Sequence, residues 1–196
     1  LYEMFTGPLD QSRPWETKAV VGVFRLPQRI WRNVLDEETG AVRVSDEVAE
    51  DDTRRVLHRT IAAVRDGMES LRFNVSIARI QELSNHLTAR YPDGGPPREV
   101  AEPLVLLLAP LAPHAAEELW ARLGHAGSLT WEPFPQADAA YLTDERVEIP
   151  VQVNGKVRAR VEVAVGLARE DLEAAVRGAA GVVPLLAGQQ VRKVVV

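Results

Sequence analysis

The sequence predicts a mainly α protein, a bundle of about five helices followed by a small α+β module of β-hairpin, helix and strand. Three observations lead there. Apolar residues recur at helical spacing through most of the first two-thirds of the chain, as in Ile77, Ile80, Leu83 and Leu87. Beyond Gly127 the period changes to two, with Val147, Ile149, Val151 and Val153 alternating with Glu148, Pro150 and Gln152. Asn154-Gly155 then separates that run from a second alternating run, the residue pair that best tolerates a tight hairpin turn.

The first 17 residues make one short helical turn and are then turn-rich, with Gly7-Pro8 and Arg13-Pro14. Thr17 is placed to cap a first long helix whose apolar residues Val20, Phe24, Trp31 and Leu35 fall near one face. Pro27 lies inside that pattern and predicts a kink or break. Residues 36–40 (DEETG) form a loop. A second helix runs from about Asp51 to Leu71, with Val56, Ile61, Val64 and Met68 inward. Asn74 caps a third, residues 91–97 (YPDGGPP) form a loop, and two further helices follow over about 99–111 and 113–123. The last quarter reads as the hairpin, a helix near Arg169–Arg177 and a final strand at Val191–Val196. The corresponding domains are residues 1–16 as the end of a connector, 17–135 as the bundle, 136–146 as a Pro-rich linker and 147–196 as the module.

Composition narrows the function classes. The chain has 196 residues, 46% hydrophobic and 26% charged, with no cysteine, which excludes disulfides and thiolate zinc sites and fits a reducing cytoplasm. Its most apolar run, Leu104 to Ala112, is far shorter than the roughly 20 residues of a membrane span. The opening Leu1–Phe5, without an initiator Met or a basic leader, reads as an excised fragment. A net charge of −5 argues against a nonspecific nucleic-acid binder. The balance is uneven, however. Residues 141–196 hold 8 Lys+Arg and 7 Asp+Glu of the totals 23 and 28, leaving 15 and 21 for the rest.

Several cationic groupings are candidate binding residues. Arg25, Arg29 and Arg32 stand at i, i+4 and i+7, a row suited to phosphate oxygens along an RNA backbone or, equally, to a solvated face paired with the acidic loop at 36–38. Arg72, Asn74 and Arg79 surround the start of the third helix, whose amides can bind phosphate. Strict alternation puts Lys156, Arg158 and Arg160 on one strand face, with Val157, Ala159 and Val161 toward the core. That row is either a phosphate-binding patch or a charged guard on an edge strand. Arg192 and Lys193 extend it. Trp31 reads as core. His58, His86, His114 and His125 are scattered, with no partner spacing that suggests a metal or a catalytic site.

Four segments carry a family resemblance. Leu1 to Trp15 (LYEMFTGPLDQSRPW) resembles the segment after the signature lysine loop of bacterial leucyl-tRNA synthetases. Leu71-Arg72-Phe73-Asn74 with Ile77-Ala78 is similar to the third helix of the class I anticodon-binding bundle, and Leu106 to Trp120 (LLLAPLAPHAAEELW) to a helix pair shared across that superfamily. The run Val151 to Arg158 (VQVNGKVR) resembles leucyl enzymes specifically, and speaks against an isoleucyl or valyl relative. The resemblance implies an anticodon-binding helix bundle with a C-terminal tRNA-gripping module, and leucine tRNA and the rest of the synthetase as partners, with the protein monomeric and cytoplasmic. It implies ATP with Mg2+ for the parent ligase only. The chain has neither the His-x-Gly-His tetrad nor the Lys-Met-Ser-Lys-Ser loop of the catalytic body, so by itself it is expected to be inactive. A helical protein-interaction scaffold without RNA is the rival from another class.

Overall fold

The computed structural model describes residues 1–143, 146–153, 155–187, 191 and 194. It divides into two units, residues 1–142 and 143–196.

The first unit is helical. After a short α1 (Tyr2–Thr6), five helices follow: α2 (Thr17–Val34), α3 (Asp51–Glu69), α4 (Phe73–Arg90), α5 (Arg98–Leu108) and α6 (Pro113–Arg122). They enclose one core. Ile77, Ile80, Leu83 and Leu87 of α4 are all fully buried, as their spacing predicts, and meet Ile30, Val34, Ile61, Val64, Leu104 and Leu108. At Gly67 α3 lies tight against α4, since an added Cβ would overlap Ser76 Oγ. A polar tie joins α2 to α4: buried Asn33 donates to Ser84 Oγ at 3.2 Å and accepts from Thr88 Oγ1 at 2.9 Å.

Four local expectations are corrected. Thr17 is the first helical residue rather than the cap, and Glu16 takes the cap position with no side-chain bond. α2 runs through Pro27 unbroken. Its buried residues are Val23, Leu26, Ile30, Asn33 and Val34, so Phe24 faces water and Trp31 is only partly buried against the core. Asn74 lies inside the first turn of α4 without a capping bond; the turn from α3 is instead made by backbone. There the amide of Arg72 donates to the Gly67 carbonyl at 2.7 Å and that of Leu71 to Met68 at 3.2 Å, the paired closure of a Schellman turn.

The Pro-rich stretch after α6 packs on α3. Arg65 donates to the carbonyl of Pro135 at 3.0 Å and lies 4.9 Å over the Phe134 ring. His58 Nδ1 accepts the amide of Asp138 at 3.2 Å.

In the second unit β1 (Arg146–Val153) and β2 (Lys156–Ala164) pair antiparallel, and α7 (Arg169–Gly178) and α8 (Val183–Leu186) follow. Gly155 sits in the turn at φ 75, a value glycine adopts without strain. Val163 and Val182 are the buried hydrophobic residues of this unit among those described. The expected strand at Val191–Val196 falls mostly outside the described residues.

Candidate nucleic-acid interface

α2 carries four cations, Lys18, Arg25, Arg29 and Arg32, and no Asp or Glu. The helix is amphipathic, so burying Leu26, Ile30 and Val34 turns the opposite side to water. Arg25 and Arg32 are exposed and Arg29 is half-buried. The row predicted from spacing is present, yet its members differ in what holds them. Arg29 donates to the Asn85 side chain of α4. Arg32 forms a 3.3 Å ion pair with Glu37, as the acidic-loop reading expects. Arg25 has no partner among the described residues.

The loop that supplies Glu37 is ordered by its own acid. Asp36 Oδ1 accepts from the Thr39 amide and hydroxyl at 2.8 Å each, and these bonds hold the Asp36 carboxyl below its ordinary range.

Arg72, Asn74 and Arg79 do lie around the start of α4, but both arginines are engaged locally. Arg72 donates to Asp66 at 2.5 Å and to Ser70 Oγ at 2.9 Å, and Arg79 to Glu82 at 2.7 Å. These pairs are half-exposed, so each is weak and exchangeable for a phosphate.

The hairpin differs from strict alternation at one residue. Val151 pairs with Ala159 and Gln152 pairs with Val157, leaving Arg158 as an extra residue in β2. Such a bulge shifts the phase of everything beyond it. Ala159, Val161 and Val163 keep the inner face, whereas Val157, expected in the core, pairs with Gln152 and is 53% exposed. Lys156 pairs with Val153 at the turn. Lys156, Arg158 and Arg160 are therefore all exposed but do not form one straight row. Arg160 is tied to Glu148 across the strands at 3.2 Å, while Lys156 and Arg158 have no partner among the described residues. Arg192 and Lys193 fall outside the described residues.

Three histidines, His58, His86 and His125, make structural contacts, and His114 is exposed at the start of α6. His125 stacks on Trp120, ring centroids 3.6 Å apart, and meets Glu102 at 2.8 Å; Arg98 reaches the same carboxylate and the Leu123 carbonyl, closing the end of α6. Among the described residues no group of three His, Cys, Asp or Glu could hold a metal, and no helix is long and apolar enough to cross a membrane.

Residues 52–174, from the start of α3 into α7, match the family model of the anticodon-binding domain of tRNA ligase. The chain belongs to that family. It is 56% identical, over its whole length, to the leucine–tRNA ligase of Streptomyces coelicolor, of which it covers 20%. With the leucine–tRNA ligase of Salinispora tropica it shares 57%, again over all of this chain and 20% of the relative. The chain thus spans about a fifth of the length of the curated relatives it matches. Among solved structures it is similar to the LeuRS of Agrobacterium radiobacter K84 (agnB2), determined as a ternary complex with tRNA and LeuAMS. That match has 29% identity and a TM-score of 0.70, and covers 98% of this chain and 26% of that one. The leucyl assignment read from the sequence agrees with these relatives.

The feature that sequence reasoning missed is Phe24, which stands exposed among the cations of α2. Its signal was present: Val23, Leu26, Ile30 and Val34 make a cleaner helical stripe than the one through Phe24.

Proposed function

We propose that this chain is the tRNA-holding region of a leucine–tRNA ligase, which grips leucine tRNA so that its acceptor end lies in a catalytic site outside these 196 residues. The observation that carries the reading is where the unbalanced cations are. In a chain of net charge −5, α2 has four cations and no anion, and the hairpin presents Lys156 and Arg158 without partners among the described residues. Concentrated arginine with unspent donors is a phosphate-binding arrangement. Family membership and the tRNA present in the Agrobacterium complex support RNA as the polyanion.

The contribution to catalysis is mechanical. Binding energy from the tRNA body is converted into placement of its reacting end, which replaces a bimolecular encounter by an oriented one. Arg29 and Arg32, held by Asn85 and Glu37, present guanidinium forks in fixed positions; Arg25, Lys156 and Arg158 supply charge that no acid compensates. The cation rows read A-form backbone shape rather than base sequence. In this reading ATP and Mg2+ belong to the remainder of the ligase, and these residues bind and orient the tRNA; the sequence has no phosphate loop. The chain acts as a monomer in this reading.

The test compares the affinity of the chain for leucine tRNA, for a serine tRNA and for a leucine tRNA whose outer corner is disrupted. Preference for the first, with a drop when the corner is disrupted, supports the reading and places part of the grip in the hairpin unit. Equal and weak binding of all three contradicts it and favours a scaffold.

A further inference from the structure

The outward side of α2 is not a plain cationic face. Val21 and Phe24, one turn apart, are 60% and 59% exposed, and they stand among Lys18, Arg25, Gln28 and Arg32. No acidic residue lies on the helix. We infer that this face is a stacking platform for an unpaired nucleotide of the bound tRNA, with the base against Phe24 and Val21 and the flanking phosphates on Arg25 and Arg32. The inference rests on the tRNA reading above and deepens it.

Three physical points lead there. A large aromatic left in water beside cations gains from a flat, electron-rich partner, and a nucleobase offers a π-face of any sequence. The cations choose among occupants: a helix with four positive charges and no negative one complements a polyanion and repels a basic protein surface. Paired RNA hides its base faces inside the helix and shows ribose and phosphate, so only an unstacked base can lie flat on the ring. Arg25 is placed to serve such a nucleotide because it neighbours Phe24 and has no partner among the described residues. Arg29, tied to Asn85 on α4, anchors the platform and does not touch this nucleotide.

The experiment measures the Kd of the 196-residue chain and its variants for leucine tRNA across a salt series, beside a fully paired RNA duplex. Phe24→Ala is expected to raise Kd for the tRNA by roughly 5- to 150-fold. The slope of log Kd against log salt should stay as in the unaltered chain, because no phosphate contact is removed. Phe24→Leu, which keeps apolar bulk without a π-face, should weaken binding comparably, and Phe24→Trp should restore it. The duplex should bind all forms alike. Unaltered Kd in Phe24→Ala or Phe24→Leu, while the unaltered chain binds tRNA in a salt-sensitive way, overturns the platform and leaves the tRNA reading standing. An equal loss on the duplex also overturns it, since Phe24 would then touch backbone. Absence of salt-sensitive tRNA binding by the unaltered chain overturns both.

Discussion

The imidazole of His58 lies flat on the ring of Tyr141, centroids 4.8 Å apart and planes 10° apart. Its Nδ1 accepts the Asp138 amide, so the docked segment requires a neutral imidazole. Burial pushes the His58 pKa down, and Arg54 acts in the same direction, while Asp138 and Glu99 oppose. A base whose pKa is lowered on docking favours the docked state above its ordinary value, near 6.5, and loses that support as pH falls below it. The protection factor of the Asp138 amide in hydrogen exchange should therefore fall between neutral and acidic pH, and His58→Ala should abolish that dependence. A protection factor constant with pH would show that the bond does not hold the segment.

On the hairpin, Lys156→Ala with Arg158→Ala is expected to weaken tRNA binding by about 1–3 kcal/mol and to flatten the salt dependence. Arg160→Ala should do less, because Arg160 already shares its charge with Glu148. A larger effect from Arg160 than from the other two, measured by titration at fixed salt, would place the RNA on the opposite side of the bulge.

Leu71 occupies the left-handed region at φ 56 and is 64% exposed. It sits at the one position of the Schellman turn where glycine is preferred. Leu71→Gly should stabilise the chain by about 1 kcal/mol in chemical denaturation, since left-handed backbone costs a side-chain-bearing residue about that much. A destabilised variant would mean that the leucine side chain makes contacts worth more than the strain.

The phase of α2 is open to a paired test. Ile30→Ala removes a fully buried side chain and should cost about 2–5 kcal/mol. Phe24→Ala should stay within about 0.5 kcal/mol, as for an exposed position. Trp31→Ala should fall between them, below the full aromatic-core cost of about 3–5 kcal/mol, because the ring is half-buried. The reverse order for Ile30 and Phe24 would restore the stripe first read from the sequence.

These outcomes bear on what the sequence alone can tell. The α4 stripe was legible because Ile77, Ile80, Leu83 and Leu87 are uniform aliphatics with one possible phase. In α2 two stripes compete, and the aromatic one drew attention although large rings are also what a binding face displays. Pro27 was read as a kink or break because it removes one backbone donor, and the helix continues through it because its long buried face outweighs that loss. The bulge at Arg158 was invisible, since an inserted residue leaves alternation along β2 intact and appears only in the pairing with β1. The cations themselves were all readable, and so was the acidic loop that pairs with Arg32, but the other partners were not. Asn85 on Arg29 and Asp66 on Arg72 depend on contacts 56 and 6 residues away in sequence, and those decide which charges stay available.

The central claim, that unpartnered cations on α2 and the hairpin hold tRNA phosphates, is tested most directly by the salt dependence of leucine tRNA binding to the unaltered chain. Three such contacts, from Arg25, Lys156 and Arg158, predict a linear fall of log K with log salt, with a slope of about −2.5, and Arg32, already paired with Glu37, adds little to it. A slope near zero, or no binding at low salt, would contradict the account.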